Sequence, residues 1–293
     1  MDETDPSTGD PGHAPAVALG GEPGTPGAPD AMIEPWMTET SIDSFQGGRF
    51  HLAQPKGRGF RAGLDALLLA ASLPAHRSGT ALDLGSGAGA VAFAVAARCE
   101  VLHVTLVEND KVMAGFARHS LALAENAALA PRIGVVEANV LGRRAEREAA
   151  GLADGAFQTV MTNPPFHPAG GRASPDPLRH AARATTDADF LGRWIRSGAA
   201  LLGKGGLFAM IARPDSLEEI LVATDRRLGD IRILPVHSHA GMPAMRILVH
   251  ARKGSRAPLS LLPGIVLHHS GGGLTDLGQG IGTGEATLDL GLR

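Results

Sequence analysis

Apolar residues begin to recur in short, regular blocks only from about residue 42. Phe50-His51-Leu52-Ala53-Gln54-Pro55 reads as a short strand, residues 56–60 as a turn, and residues 64–71 as a buried helix. Alternating units follow. Strands are expected at 80–84, 104–108, 133–137, 157–162 and 207–211. Helices are expected up to Arg98, across 111–128, around 187–202 and across 216–227. Short apolar strands alternating with helices imply a parallel sheet covered on both faces. The last two blocks, 231–236 and 246–251, are separated by Ser238-His239-Ala240-Gly241-Met242-Pro243, where no helix fits. They are expected to pair as an antiparallel hairpin at the sheet edge. The pattern is an α/β, Rossmann-like sheet of seven strands, mostly parallel, with an antiparallel C-terminal hairpin.

Composition sets the limits of this unit. Residues 1–30 hold six Gly and six Pro and almost no large apolar side chain, so they cannot bury enough surface to offset their ordering entropy. Residues 1–40 are therefore expected to be a disordered acidic tail and 41–260 the folded domain. Residues 261–293 are expected to be a partly flexible extension, with 271–284 a loose Gly-rich tail. The net charge of −3 is uneven: eight acidic residues and no Lys or Arg precede residue 41. The remaining 22 Asp and Glu against all 27 Lys and Arg leave the body at +5, compatible with a nucleic-acid partner without requiring one. A single Cys, Cys99, excludes an internal disulfide framework and reads as a small buried apolar residue. No apolar run reaches the roughly 18 residues of a membrane span, and no basic N-terminal segment marks a secretory signal, so the cytoplasm is the expected location.

Candidate chemistry lies where strands end. Asp83-Leu84-Gly85-Ser86-Gly87-Ala88-Gly89 joins the first strand of the alternating series to its helix. Gly85, Gly87 and Gly89 permit a tight turn and close approach of a ligand to helix-start amides. The spacing also fits a dinucleotide fingerprint, so a nicotinamide-dependent oxidoreductase is a competing reading. Asp83 weighs against it: a carboxylate suits a cationic amino group, such as that of a methionine moiety, better than a pyrophosphate. Glu108 ends the next strand and could accept two hydrogen bonds from ribose hydroxyls. Asn139 follows the third and could accept one through its amide oxygen.

Asn163-Pro164-Pro165-Phe166 ends the fourth strand. The prolines fix the backbone and remove two amide donors, leaving the Pro164 carbonyl a rigid acceptor. The Asn163 side chain offers a second. Together they can grip both hydrogens of a conjugated amino group and favour its pyramidal, nucleophilic form. Phe166 offers a face for stacking a planar base, worth roughly 1–3 kcal/mol.

This pair of motifs resembles the amino-group methyltransferases of adenine, guanine and protein glutamine. Five parallel strands plus a terminal hairpin is their class I methyltransferase layout. A narrower resemblance is to the bacterial tRNA1(Val) adenine-37 N6-methyltransferase family. Residues 54–70, which include Gln54-Pro55-Lys56-Gly57-Arg58-Gly59-Phe60, carry it. So do the loop 168–184 and the stretch from Arg246 to Leu267. The resemblance implies S-adenosyl-L-methionine as cofactor and a tRNA anticodon-loop adenine as substrate, with guanine N2 or glutamine N5 as same-chemistry alternatives. It also implies that Arg61 and Asp65 line the cofactor pocket. Asn139 stands where these enzymes often carry an acid, Phe166 where many carry Tyr, and Ala184 where a His is expected. A catalytically silent RNA-binding module is a further class.

His167 directly follows the motif and is a candidate substrate contact. Arg172, Arg179 and Arg183 in the loop are candidate phosphate contacts. The adjacent His268-His269 pair would face opposite sides of a strand, and no carboxylate or Cys stands at ligand spacing, so no metal is expected.

Overall fold

The computed structural model describes residues 40–56, 63–165 and 189–291. Strands β1 (Thr40–Phe45) and β2 (Phe50–Pro55) form an antiparallel hairpin apart from the main sheet. Then come α1 (Leu64–Ala71), β3 (Gly79–Leu84), α2 (Ala90–Arg98), β4 (Leu102–Glu108), α3 (Lys111–Ala122), β5 (Ile133–Glu137), α4 (Arg144–Ala149) and β6 (Phe157–Thr162). The chain continues through α5 (Phe190–Leu201), β7 (Leu202–Ala212), α6 (Leu217–Thr224), β8 (Leu228–His237) and β9 (Ala244–Lys253). Two-residue strands β10 (Ser260–Leu261) and β11 (Ile265–Val266) and helix α7 (Asp276–Thr283) complete it.

The main sheet runs β5-β4-β3-β6-β7-β9-β8, with β10 and β11 added to the outer side of β8. Strands β3 to β7 are parallel; β9 is antiparallel to both β7 and β8. The expected seven strands and hairpin are present. Period-two alternation sends each strand's residues into two cores. In β7, Ala209 and Ile211 join α1 and α2 on one face, while Phe208 and Met210 join α5 and α6 on the other. Both faces are covered, so the strand centres read as mainly apolar runs.

Side chains settle the hairpin's backbone groups. Ala53 N–H donates to Ser120 Oγ and His51 N–H to Asn126 Oδ1, each at 2.9 Å. Asn126 Nδ2 returns a bond to the His51 carbonyl at 2.7 Å. Ser120 and Asn126 are fully buried. This docking corrects the helix expected across 111–128. It stops at Ala122, Leu123 is extended, and a short 3-10 turn delivers Asn126.

The C-terminal extension is also corrected. Residues 271–284 are not a loose tail: Thr275 Oγ1 caps α7 by accepting from Gly278 N–H, and Gly284 closes it in the left-handed region. Leu288 N–H donates to the Ala71 carbonyl at 2.7 Å, and Ile281, Leu288 and Leu290 are buried in the α1/α2 core. A few large apolar residues anchor a segment whose composition alone reads as irregular. All described residues belong to one compact unit, 35–293.

His250 of β9 is fully buried, its Nε2 2.9 Å from Ser72 Oγ at the end of α1. Burial first, then the charges of Arg77, Arg232 and Arg252, holds its imidazole down to about 3. It is a neutral core residue.

Candidate active site

The ends of β3, β4, β5 and β6 bring Gly85, Glu108, Asn139 and Asn163 to one edge of the sheet. Connections leave β3 towards β4 on one side, while β6 adjoins it on the other. Ligands of such sheets bind at this reversal, beyond the carboxyl ends of the strands.

The turn after β3 is held by its own backbone. Gly85 and Ser86 N–H donate to the Val107 carbonyl at 2.9 and 3.0 Å. Gly85 has φ +71°, and a Cβ there would lie 2.5 Å from Cζ2 of Trp194. Gly89 has φ +97°, and a Cβ would lie 2.6 Å from Leu106 Cδ2. Backbone angle and close packing both demand glycine at these two positions.

Glu108 ties this turn to β4. Its Oε2 accepts from Gly87 N–H at 2.8 Å; Oε1 accepts from Asn109 and Asp110 N–H at 2.8 and 2.9 Å. A carboxylate has about four acceptor sites, so three amides leave room for one hydroxyl. The two ribose bonds expected of Glu108 require one of these three amides to be released. Burial raises the Glu108 pKa, against the pull of these amides.

Asp83 is 1% exposed, and its Oδ2 accepts from Ala92 N–H at 3.1 Å. It faces the first turn of α2 from inside the fold. Burial, with a smaller push from the Glu108 charge, raises its carboxyl to about 7. Asn139 Oδ1, the acceptor expected to face a ligand, already accepts from Leu141 N–H at 2.9 Å. Its second lone pair is the one to consider for a ligand. Asp65, in the first turn of α1, pairs with Arg246 at 3.0 Å. Arg246 lies near the start of β9, whose antiparallel course brings it to the same edge, and sequence reasoning assigned it no role.

Asn163 leaves β6 with Oδ1 buried and without a hydrogen-bond partner among the described residues; Pro164 is buried beside it. An orphan acceptor is rare in folded proteins because it costs roughly 1–3 kcal/mol. Its neighbour Thr162 donates to the Leu84 carbonyl and accepts from Trp194 Nε1–H, both at 2.9 Å. Ser86 Oγ, in the glycine turn, is likewise buried without a partner. The sequence reading missed Ser86, Thr162 and Trp194. Arg61, Phe166, His167, Arg172 and Arg183 lie outside the described residues, as does the loop 168–184. Among the described residues no three His, Cys, Asp or Glu side chains group as metal ligands, and no helix is long and apolar enough to cross a membrane.

The methyltransferase small domain family matches residues 62–221, more than half of the chain. The chain belongs to that family. It is an S-adenosylmethionine-dependent methyltransferase of class I fold. The narrower resemblance read from the sequence is borne out as well. A protein of Porphyromonas gingivalis W83 named tRNA1(Val) (adenine(37)-N6)-methyltransferase is 31% identical, the match covering 67% of this chain and 76% of that protein. One of Aeromonas hydrophila with the same name is 29% identical over 66% of this chain and 77% of the relative. The crystal structure of a predicted O-methyltransferase from Agrobacterium tumefaciens is 38% identical, with a TM-score of 0.66, covering 76% of this chain and 98% of that one.

The residues present fit the cofactor of this methyltransferase. The glycine turn carries no side chain at Gly87, Glu108 keeps an acceptor site, and Ser86 Oγ is buried without a partner among the described residues. Where ionised, a carboxylate beside the turn disfavours a nearby pyrophosphate by like-charge repulsion and suits a cation.

Proposed function

We propose that this methyltransferase modifies the exocyclic N6 of an adenine in a tRNA anticodon loop, in the cytoplasm. The observation that carries the reading is the buried, partnerless Asn163 Oδ1 at the sheet's reversal point, next to the glycine turn. The names of the relatives add the substrate class.

On this reading Gly85, Gly87 and Gly89 shape the cofactor cradle and Glu108 takes a ribose hydroxyl. Asn139 borders the adenine, and Arg61 and Asp65 border the methionine end. Asp83 lies beneath the turn out of solvent and places negative charge there when it ionises. The cofactor supplies an electrophilic methyl group. Asn163 Oδ1 and the Pro164 carbonyl accept the two amino hydrogens of the substrate. An exocyclic amino nitrogen is a poor nucleophile while its lone pair is delocalised into the ring. Two oriented acceptors localise that pair and aim it at the methyl carbon, so the residues act by positioning and electrostatics. No base is required before transfer, because the nitrogen's proton becomes acidic only as positive charge develops. Phe166 stacks the base, which an anticodon loop can splay out without breaking a duplex. His167, Arg172 and Arg183 contact the RNA, and the +5 body favours its approach.

The test is partition of label. The purified protein is incubated with methyl-labelled cofactor, total RNA lacking the modification, and protein extract. Label in tRNA adenine supports the proposal. Label in guanine or in protein glutamine keeps the chemistry and overturns the substrate.

A further inference from the structure

The ladder between β3 and β6 ends at the pair Asp83–Met161. One residue further, where Leu84 and Thr162 would come next, the two chains turn apart towards the cofactor turn and the acceptor motif. A side chain spans this point. Thr162 Oγ1 donates its hydrogen to the Leu84 carbonyl at 2.9 Å and accepts the Trp194 indole hydrogen at 2.9 Å. The roles are fixed by chemistry: a carbonyl only accepts, an indole N–H only donates, and a hydroxyl can do one of each. Thr162 is fully buried and Trp194 is 8% exposed. The indole ring fills the space where Gly85 lacks a Cβ. One hydroxyl therefore links the strand end before Gly85, the residue before Asn163, and the ring that backs the glycine turn.

We propose that Thr162 and Trp194 are positioning residues that fix the spacing between the cofactor turn and the Asn163 acceptor. The inference rests on the proposed role of Asn163. The ladder holds strand centres, but neither Gly85 nor Asn163 lies within its β3–β6 register. Their separation depends on what joins the strand ends. Transfer requires the reacting atoms in near-attack geometry, and a shift of about 1 Å can cost on the order of 100-fold in rate. Thr162→Val keeps the branched shape and removes the hydroxyl. It leaves the Leu84 carbonyl and the Trp194 N–H unpaired in a buried site, and they relax apart to find other partners.

The test uses the full chain carrying Trp36→Phe, which leaves Trp194 as the single indole. Three quantities are read: the indole N–H NMR resonance, S-adenosylmethionine affinity by calorimetry, and single-turnover transfer to unmodified tRNA at saturating cofactor. Thr162→Val is expected to slow transfer about 10–100-fold with cofactor affinity unchanged and the indole resonance shifted. Thr162→Ser is expected to restore both rate and resonance. Trp194→Phe should slow transfer comparably, and it decides the matter if Thr162→Val does not fold. A wild-type rate in either folded variant overturns the inference, as does loss of rate in proportion to loss of cofactor binding. Asn163→Ala in the same series separates the two claims. If it transfers at the wild-type rate, the proposed chemistry falls. If it is silent while Thr162→Val is normal, only the positioning role falls.

Discussion

The turn after β3 and the turn after β6 stand side by side, yet their polar groups are treated differently. Around the first, Glu108 accepts three amides, Asp83 accepts a fourth, and the Gly85 and Ser86 amides share the Val107 carbonyl. Ser86 Oγ has no partner among the described residues, and Glu108 keeps one acceptor site. Around the second, the Asn163 amide oxygen is buried with nothing to accept from. The first turn is complete as protein and needs rigidity to cradle a ligand. The second retains unspent hydrogen-bonding capacity, which a substrate amino group would fill. Other buried side-chain atoms among the described residues also lack a partner, Gln46 Oε1 and His51 Nδ1 among them; Asn163 Oδ1 differs in its place, at the sheet's reversal beside the glycine turn.

Substitutions on the two sides should behave differently. The largest effect is expected from Asn163→Ala: single-turnover transfer falls about 100–1000-fold, the scale of losing one preorganised polar group, while cofactor affinity holds. Calorimetry beside rapid-quench kinetics checks this, and a parallel fall in affinity would merge the two sides into one. Gly85→Ala should do the reverse and act through structure. A Cβ at φ +71° against Trp194 is expected to cost about 1–3 kcal/mol of stability in denaturant melts and to weaken cofactor binding. Glu108→Gln keeps one acceptor oxygen and puts N–H groups where amides point. A loss of about 1 kcal/mol in cofactor binding, with transfer at saturation preserved, is the expected result.

The smallest effect is one of pH. Burial raises Asp83 from 3.8 to about 7. A carboxyl with a raised pKa contributes stability fully present below its unfolded value and lost as pH rises through its folded value. Wild type should therefore lose thermal stability relative to Asp83→Asn as pH climbs from about 4 to above 7. Parallel melting curves for the two proteins would show that Asp83 is already charged when folded. A cationic ligand near the turn favours the carboxylate, so cofactor affinity in wild type should rise through the same window.

Much of this was legible in the sequence for identifiable reasons. Strands β3 to β7 are covered on both faces, which turns them into apolar runs. Glycine spacing marks the turn after β3 because glycine adopts those angles without steric cost. The prolines mark the acceptor turn because they forbid ordinary secondary structure. Other elements carry no local signal. Strand β1, Thr-Ser-Ile-Asp-Ser-Phe, is largely half-exposed or exposed and gains its place only by pairing with β2. Helix α7 has Gly278, Gly280 and Gly282 in its span, and its order comes from Thr275 and from Ile281. The Thr162–Trp194 and Asp65–Arg246 contacts join residues 32 and 181 positions apart, so no motif can contain them.

The central claim is that the methyl acceptor is a planar exocyclic amino nitrogen gripped by Asn163 and Pro164. Nucleoside mass spectrometry of tRNA methylated by the wild-type protein tests it most directly. The account predicts the new methyl on adenine N6, formed about 100–1000-fold more slowly with Asn163→Ala. A methyl on a ring nitrogen, a carbon or a ribose oxygen, made equally well by both proteins, would contradict it.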